Sequence, residues 1–348
     1  MDNALTPRRD GAVDLAKALA ICAVVLIHCS ANHFAHHPAG SFQWLAACFW
    51  GSVSRWAVPV FLLCSGALMN APGRDLPLKK LFSRYLLRLA LALAVWAGLY
   101  ELLRIYMGRG GALLSQLAVQ SAQNWLTGTT YYHLYYFYFA IALYLALPLT
   151  RLIARHASRA ELRYLLALWF LAGSVIPFCR YFPPFDQLGA SLLRYSLPAI
   201  FLSPGLGLLG WYLGQHPPKS CREGLVLFLA GFGVTFLGTW RRSAAAGELD
   251  QFFLDGFGLF VLLMAAGVFR LCQRLGRDGV PGPVLYLSRA SFCVYLIHPY
   301  FQWLTRQAFF ETLSPVWAVP AQALLLLGLS AAAYEVLRRV PVVSRWII

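Results

Sequence analysis

Long apolar segments recur along the whole chain, and no other feature constrains its fold as strongly. Of the 348 residues, 59% are hydrophobic and only 12% are charged, whereas soluble domains carry about 25% charged residues. The mean hydropathy is +0.60. A chain of this composition is typical of a polytopic membrane protein.

Ten segments are long enough to cross a hydrocarbon core about 30 Å thick. They cover approximately residues 13–33, 43–70, 81–106, 131–150, 161–178, 195–214, 223–240, 252–272, 283–305 and 316–338. Prolines interrupt the fifth and sixth, which membrane helices tolerate when neighbouring groups satisfy the freed backbone. No polar stretch is long enough to bury a core of its own. The sequence therefore predicts an all-α fold of about ten transmembrane helices, with residues 1–348 forming one integral membrane domain.

The distribution of basic residues predicts the orientation of the chain. If the N-terminus is cytoplasmic, 18 lysines and arginines lie between spans on the inner side and six on the outer side. Positive residues accumulate in cytoplasmic loops, so both termini are expected in the cytoplasm, in a multi-pass protein of the inner (cytoplasmic) membrane. The same residues account for the net charge of +15, which therefore does not indicate nucleic-acid binding. Asp14 and Lys17 interrupt the first apolar run, so we expect a retained span rather than a cleaved signal.

His28 lies inside the first apolar segment, roughly 16 Å along a helix from Lys17. Ionisable groups at such depth are costly and indicate a function by default. A neutral imidazole takes a proton from a hydroxyl and returns it to a leaving group, so His28 is a candidate general base. A metal ligand and a packed structural histidine are the alternatives. His33, His36 and His37 follow in the first outer loop, but no Cys or carboxylate is nearby and no metal is expected.

The eight cysteines form no C-x-x-C pair. Most of them lie in apolar runs, where a cysteine behaves as a small hydrophobic residue. We therefore expect neither a disulfide framework nor a zinc site.

Two arginines begin the third span on its inner side. Arg84 and Arg88 are four positions apart and share a helix face, and guanidinium groups bind phosphates bidentately. Either they bind a phosphate-bearing substrate or they only flank the span as cytoplasmic charges. Arg88 lies deeper than topology requires, which favours binding.

Arg55 lies within the second span, between apolar residues on both sides, and it needs a partner or a polar cavity. Glu101, near the outer end of the third span, is a candidate counter-ion. Pro59 and the pair Ser65–Gly66 predict a kink in the second span and a close approach of another helix.

Aromatic and histidine residues mark the outer half of the membrane. The segment Tyr131–Tyr138 is either an interfacial aromatic belt or a surface on which sugar rings stack, with Tyr132 and His133 as contacts. His298 lies roughly 22 Å along the ninth span from Pro283, in the same half of the membrane as His28. Pro299 beside it frees a backbone group at that depth.

Together these residues resemble the membrane acyltransferase family 3, whose members are integral membrane proteins that modify sugars of surface or periplasmic glycans. The resemblance covers nearly the whole chain. The family's first-helix signature, a basic residue, ten positions and a histidine, is present as Lys17 and His28. The second-span and ninth-span patterns are present as Arg55, Val58-Pro59, Phe61, Ser65-Gly66, Ser291-Phe292, Tyr295-Leu296 and His298-Pro299.

Two positions depart from the family's pattern. The family often has Arg-x-x-Arg at the start of the third helix, serving the acyl-coenzyme A, whereas Arg84 and Arg88 are separated by one residue more. They still share a helix face, so phosphate binding is still implied. Lys17 replaces the commoner Arg and would bind phosphate as a point charge rather than as a fork.

The resemblance implies transfer of an acyl group, usually acetyl, from cytoplasmic acyl-coenzyme A to a sugar hydroxyl. Acetyl-CoA would then be a donor substrate, and a glycan or lipid-linked sugar the acceptor. His28 would be the general base or would carry the acyl group transiently, and Arg55 would orient the site or stabilise the oxyanion. Lys17, Arg84 and Arg88 would hold the donor. The acceptor would contact His298, His133, Tyr132 and Glu101.

Other classes of protein also fit the pattern. A glycan transporter or flippase places His and Arg inside the membrane, since such residues line substrate pathways. It would not bind coenzyme A, and the inverted repeats common in transporters are not visible in the two halves of the chain. A membrane scaffold or sensor would tolerate His28→Ala. Within the enzyme class, a succinyl or other acyl donor is the near alternative to acetyl.

Overall fold

A computed structural model describes residues 10–71, 73–108, 117–179, 181–182, 202–310 and 313–348, without the side chains of residues 117, 118, 126, 306, 307 and 310. Every regular element in these ranges is helical, which confirms the predicted all-α fold. The helices, in chain order, are α1 (Gly11–Phe34), α2 (Phe42–Ser54), α3 (Ala57–Met69), α4 (Leu78–Tyr106), α5 (Leu117–Thr127), α6 (Tyr135–His156), α7 (Arg159–Cys179), α8 (Leu202–Gln215), α9 (Arg222–Ala246), α10 (Leu259–Leu275), α11 (Gly282–Phe310), α12 (Pro315–Leu337) and α13 (Pro341–Trp346).

Short turns of other helix types accompany four of these helices. Turns of π-helix interrupt α4 at Leu81–Leu86 and α7 at Leu171–Val175. Turns of 3-10 helix precede α6 at Tyr132–Leu134 and α10 at Phe252–Leu254.

Eight of the ten predicted segments coincide with helices long and apolar enough to cross a membrane, within the described part of the chain. The predicted segment 283–305 lies in α11, which has 29 residues. The predicted segment 195–214 is described from residue 202 onward, as α8, and residues 195–201 lie outside the described ranges. The chain is thus a multi-pass membrane protein, while the total of ten spans and the cytoplasmic termini stay predictions.

Polar side chains fix several helix ends. The Asp10 carboxylate accepts a 3.0 Å hydrogen bond from the N–H of Ala12 at the start of α1. Ser158 and Glu161 form a capping box at the start of α7, with hydrogen bonds of 3.2 and 2.7 Å. Gly247 ends α9 in the left-handed conformation, at φ 75°.

The chain divides into two compact units, Met1–Cys64 with Leu213–Ala331 and Ser65–Tyr212 with Ala332–Ile348. In the first unit, α1 packs against α2, α10 and α11. Glycines bring its helices close together, because a Cβ atom on Gly224 of α9 would lie 2.7 Å from the Gly267 carbonyl oxygen of α10. In the second unit, α4 packs against α5, α6 and α13.

The second predicted span is broken at Arg55 and Trp56, between α2 and α3. Pro59 follows four residues after Arg55 and has no N–H to donate to its carbonyl, so the predicted kink is confirmed and falls just before the proline. The predicted close helix approach is also confirmed, since a Cβ atom on Gly66 would overlap the main chain of Gly207.

Candidate active site

Two histidines from distant parts of the sequence lie side by side in the first unit. Helices α1 and α11 pack along each other and place the rings of His28 and His298 with centroids 5.1 Å apart and planes inclined by 27°. His298 is completely buried, with 0% of its surface exposed, whereas His28 is half-buried. The two histidines that the sequence placed in the same half of the membrane are therefore in contact.

Arg55 lies at the break between α2 and α3. Its Nε donates a hydrogen bond to the carbonyl oxygen of Leu254, at the end of the 3-10 turn before α10. The side chain is half-buried and close enough to His28 for its charge to act on the imidazole. A guanidinium whose charge reaches an imidazole in the same unit is suited to stabilise negative charge that develops on a reacting oxygen.

Lys17 is half-buried on α1, three turns before His28. Its charge acts on the Cys64 thiol, and so does the carboxylate of Asp14. Asp14 is 6% exposed and accepts a 2.6 Å hydrogen bond from Ser288 Oγ on α11. In the sequence, Asp14 stands out only as an interruption of an apolar run, although a carboxylate three positions before a lysine in a span needs a partner of its own.

Gln302 also belongs to this site, although the sequence did not predict it. It is 5% exposed, and its Nε2 donates a 2.6 Å hydrogen bond to the carbonyl oxygen of His28. The available signal was its position four residues after His298, on the same face of one helix.

The contacts of Asp14 with Ser288 and of His28 with Gln302 each join residues 274 positions apart. Because this offset is constant, α1 and α11 run parallel and in register between the two contacts. This register holds His28 beside His298.

In the second unit, the π turn Leu81–Leu86 contains Arg84 and directly precedes Arg88. A π turn holds more residues than an α turn and is frequent at functional sites, so it accommodates the additional residue between the two arginines. Arg84 is exposed and Arg88 half-buried, and they are close enough for the charge of Arg84 to act on Arg88. Arg88 also donates a hydrogen bond to the main-chain oxygen of Ile348.

Further cations gather around this pair. Arg74 donates a 3.0 Å hydrogen bond to the Tyr85 hydroxyl, and its guanidinium carbon lies 5.7 Å from the centre of that ring. Arg151 is held by the carbonyl oxygens of Met69 and Arg74. In the sequence, Arg74 and Arg151 are two of the 18 basic residues between spans on the predicted inner side, whereas the fold brings Arg74 next to the π turn.

Glu101 is buried on α4, with 5% exposed. Its carboxylate accepts a 3.1 Å hydrogen bond from Asn124 Nδ2 and forms a 3.4 Å ion pair with Arg104. These partners belong to its own unit, and the pairing of Glu101 with Arg55 stays a prediction.

Tyr132 and His133 belong to an aromatic cluster before α6. The His133 ring is 1% exposed and meets the edge of Tyr100 at a centroid distance of 4.9 Å. Tyr131 stacks on Tyr100 at 4.4 Å, and Tyr132 is 50% exposed. The cluster therefore presents one exposed ring beside a buried imidazole. This arrangement fits both an interfacial aromatic belt and a surface on which sugar rings stack.

Two histidines at the end of α1 are also close together, since the ring of His33, in its last turn, stacks on that of His37, just after it, at 5.9 Å. Burial, and next the charge of His36, lowers the pKa of His37 below the ordinary value. Within the described residues, no group of three His, Cys, Asp or Glu side chains has an arrangement able to hold a metal ion.

An all-helical, multi-pass protein that buries imidazole, guanidinium and carboxylate groups between its spans is an integral membrane protein with a polar functional site. Residues 10–335 match the family described as the acyltransferase domain of acyltransferase family 3. The chain belongs to this family, as its motifs indicated, and is a membrane acyltransferase that uses an acyl donor and an acyl acceptor at the bilayer. No curated protein and no solved structure shows a significant match.

Proposed function

We propose that this protein transfers an acyl group, usually acetyl, from cytoplasmic acyl-coenzyme A to a sugar hydroxyl of a surface or exported glycan, in the inner membrane. The observation that carries the proposal is the contact of His28 with His298, with Arg55 close by. Three ionisable side chains inside apolar helices are costly, and acyl transfer to a hydroxyl needs a base and a site for negative charge.

In the first form of the reaction, His28 is the general base. It takes the proton of the sugar hydroxyl while that oxygen attacks the thioester carbonyl, and Arg55 stabilises the negative charge on the carbonyl oxygen. The carbon–sulfur bond then breaks, and the imidazolium returns the proton to the departing thiolate. In the second form, His28 attacks the thioester carbonyl, the carbon–sulfur bond breaks and coenzyme A leaves as its thiolate. The sugar hydroxyl then attacks the acyl-imidazole, the carbon–nitrogen bond breaks, and the hydroxyl proton passes to the thiolate, which regenerates neutral His28.

The donor would be held by cations. Arg84 and Arg88 share the inner part of α4, and Arg74 adds a third guanidinium near Tyr85. Lys17 would act in its own unit as a point charge. Phosphates of coenzyme A suit such a set of side chains, and their binding should weaken with salt.

The acceptor would meet the outer-half residues. Tyr132 offers an exposed ring for stacking on a sugar, and the buried side chains of His133 and Glu101 would supply polar contacts in the same unit. His298 would act through its contact with His28, the base of the reacting hydroxyl.

Calorimetric titration of the purified protein with acetyl-CoA tests the proposal first, with succinyl-CoA and free coenzyme A as comparisons. We expect micromolar binding that Arg88→Ala weakens by about 10-fold or more, because a charged hydrogen bond contributes about 1.5–3 kcal/mol. Arg339→Ala is the matched control, since Arg339 is an exposed arginine at the end of α12. If a folded sample binds no acyl-CoA, the donor assignment is wrong and a glycan flippase becomes the better interpretation.

Turnover is then measured as release of free coenzyme A thiol in the presence of a panel of sugars and lipid-linked glycans. A stimulation by one acceptor class, accompanied by a mass increase of that acceptor equal to the acyl group, would identify the substrate. Thiol release without a modified acceptor would contradict the proposed transfer.

A further inference from the structure

The His-Pro dipeptide of α11 leaves one main-chain carbonyl without its usual donor. In an α-helix the carbonyl of residue i accepts from the N–H of residue i+4. The residue four positions after Tyr295 is Pro299, which has no N–H. The Tyr295 carbonyl therefore needs another donor at a depth where water is scarce.

The ring of His298 supplies that donor. Its Nδ1 lies 2.9 Å from the carbonyl oxygen of Tyr295 and 3.0 Å from that of Val294. A carbonyl oxygen only accepts, so Nδ1 must carry a proton in both contacts. In the neutral ring the second nitrogen, Nε2, is then unprotonated and accepts hydrogen bonds.

We infer that His298 is a positioning residue for His28. Pro299 fixes the tautomer of His298, so that Nδ1 carries the proton and Nε2 is unprotonated in the buried ring beside His28. This inference deepens the proposed function and rests on His28 as its reactive group. The difference in burial supports the order of the two rings, since His298 is fully buried and His28 half-buried. We therefore place the substrate against His28 rather than against His298.

The chemical consequence concerns the charge that His28 acquires. When His28 takes the hydroxyl proton it becomes an imidazolium, and a neutral ring stacked on it opposes that charge less than a second imidazolium would. The opposite tautomer would lose the Nδ1–H donation to the Tyr295 carbonyl, which holds the His298 ring in its orientation against His28. His298 itself neither gains nor loses a proton in this scheme, just as the third member of a nucleophile–base–orienter set directs the base without reacting.

Solution or solid-state NMR of the protein labelled with ¹⁵N-histidine measures the tautomer directly, without any assay of activity. The His298 signal is assigned by its loss in His298→Asn. We expect the neutral ring to show a protonated Nδ1 and an unprotonated Nε2. A protonated Nε2 in the neutral ring would overturn the inference.

Pro299→Ala then tests the origin of this preference, because an alanine restores the N–H that caps the Tyr295 carbonyl. We expect a second population with protonated Nε2 and a fall in kcat on the order of 10-fold with little change in KM, as for other residues that orient a functional histidine. The pH profile of kcat should shift as well. Pro320→Ala is the matched control, since Pro320 also lies inside a helix, α12, and it should change neither tautomer nor profile.

The outcomes separate the two proposals. Absence of acyl transfer by the folded wild-type protein would overturn the proposed function, while the NMR tautomer would still decide the state of His298. Acyl transfer with an unchanged kcat and pH profile in both Pro299→Ala and His298→Asn would overturn the positioning role and leave the proposed function standing.

Discussion

At the scale of the residue, half-burial distinguishes His28 from three fully buried histidines of the described helices and turns. His33, His133 and His298 are 0–1% exposed, while His28 is half-buried. Acid–base chemistry needs contact with the substrate, and this difference in exposure favours His28 as the reacting imidazole. It also explains why substitutions at the other three would act through packing or orientation.

Replacement of His28 by alanine is expected to lower kcat by about 10²- to 10⁴-fold, the usual contribution of a positioned base. The acyl-CoA affinity should change little, because the phosphate-binding residues proposed above lie elsewhere. His36→Ala is the matched control, since His36 is an exposed histidine just after α1. Thiol release measured on both variants checks this prediction, and equal turnover in His28→Ala and His36→Ala would contradict it.

At the scale of the element, the parallel pair α1 and α11 depends on two polar contacts. Between the Asp14–Ser288 contact and the His28–Gln302 contact, the helices advance by the same number of residues. Loss of either contact leaves a buried polar group without its partner, which costs more than the hydrogen bond itself gains.

A double-mutant cycle of Asp14→Ala and Ser288→Ala measures the first contact. We expect each single variant to be destabilised and the pair to show a coupling of about 1–3 kcal/mol. Thermal unfolding of the four proteins in one detergent provides the measurement. Additive effects would show that the Asp14–Ser288 contact contributes nothing to the pairing of the helices.

The close approach of α3 and α8 depends on the absence of a side chain at Gly66. Gly66→Ala should destabilise the protein by about 1–3 kcal/mol, because its Cβ atom would meet the main chain of Gly207. Gly98→Ala is the matched control in α4, where an added Cβ atom meets nothing within 4 Å. That variant should be as stable as wild type or more stable by about 1 kcal/mol, since alanine favours the helix. Equal unfolding midpoints for the two variants would refute the close contact.

The elements differ in how far the sequence predicted them. Apolar segments of span length located most of the helices, because hydrophobicity and length together decide membrane insertion. The break at Arg55 followed from Pro59, whose missing N–H acts locally. By contrast, the π turn at Leu81–Leu86 depends on packing against other helices, and no local sequence signal specifies it.

The residues of the candidate site also differ in how well the sequence predicted them. Lys17, His28 and Arg55 stood out because each is costly in an apolar segment. Gln302 and Ser288 did not, because an uncharged polar residue in a span is inexpensive until its partner is known. The pairing of His28 with His298 depends on which helices are neighbours, a property that the sequence of either helix alone does not contain.

At the scale of the whole molecule, the membrane orientation remains a prediction from the distribution of charge. Single cysteines at His36 and Arg339, in a background without the native cysteines, should react with a membrane-impermeant thiol reagent from opposite sides. We expect His36→Cys to be labelled in intact spheroplasts and Arg339→Cys only after lysis. Labelling of Arg339→Cys in intact spheroplasts would reverse the predicted position of the C-terminus.

The residues of α11 that bind Asp14 and His28 of α1 are synthesised late. Asp14 and His28 bind residues 274 positions further along the chain, and a ribosome adds about 5–20 residues per second. For about 15–55 s after α1 emerges, its carboxylate and imidazole are therefore in the bilayer before α11 exists. During that interval the nascent protein is vulnerable to membrane quality control, and the yield of active enzyme depends on how long such an unfinished helix is tolerated.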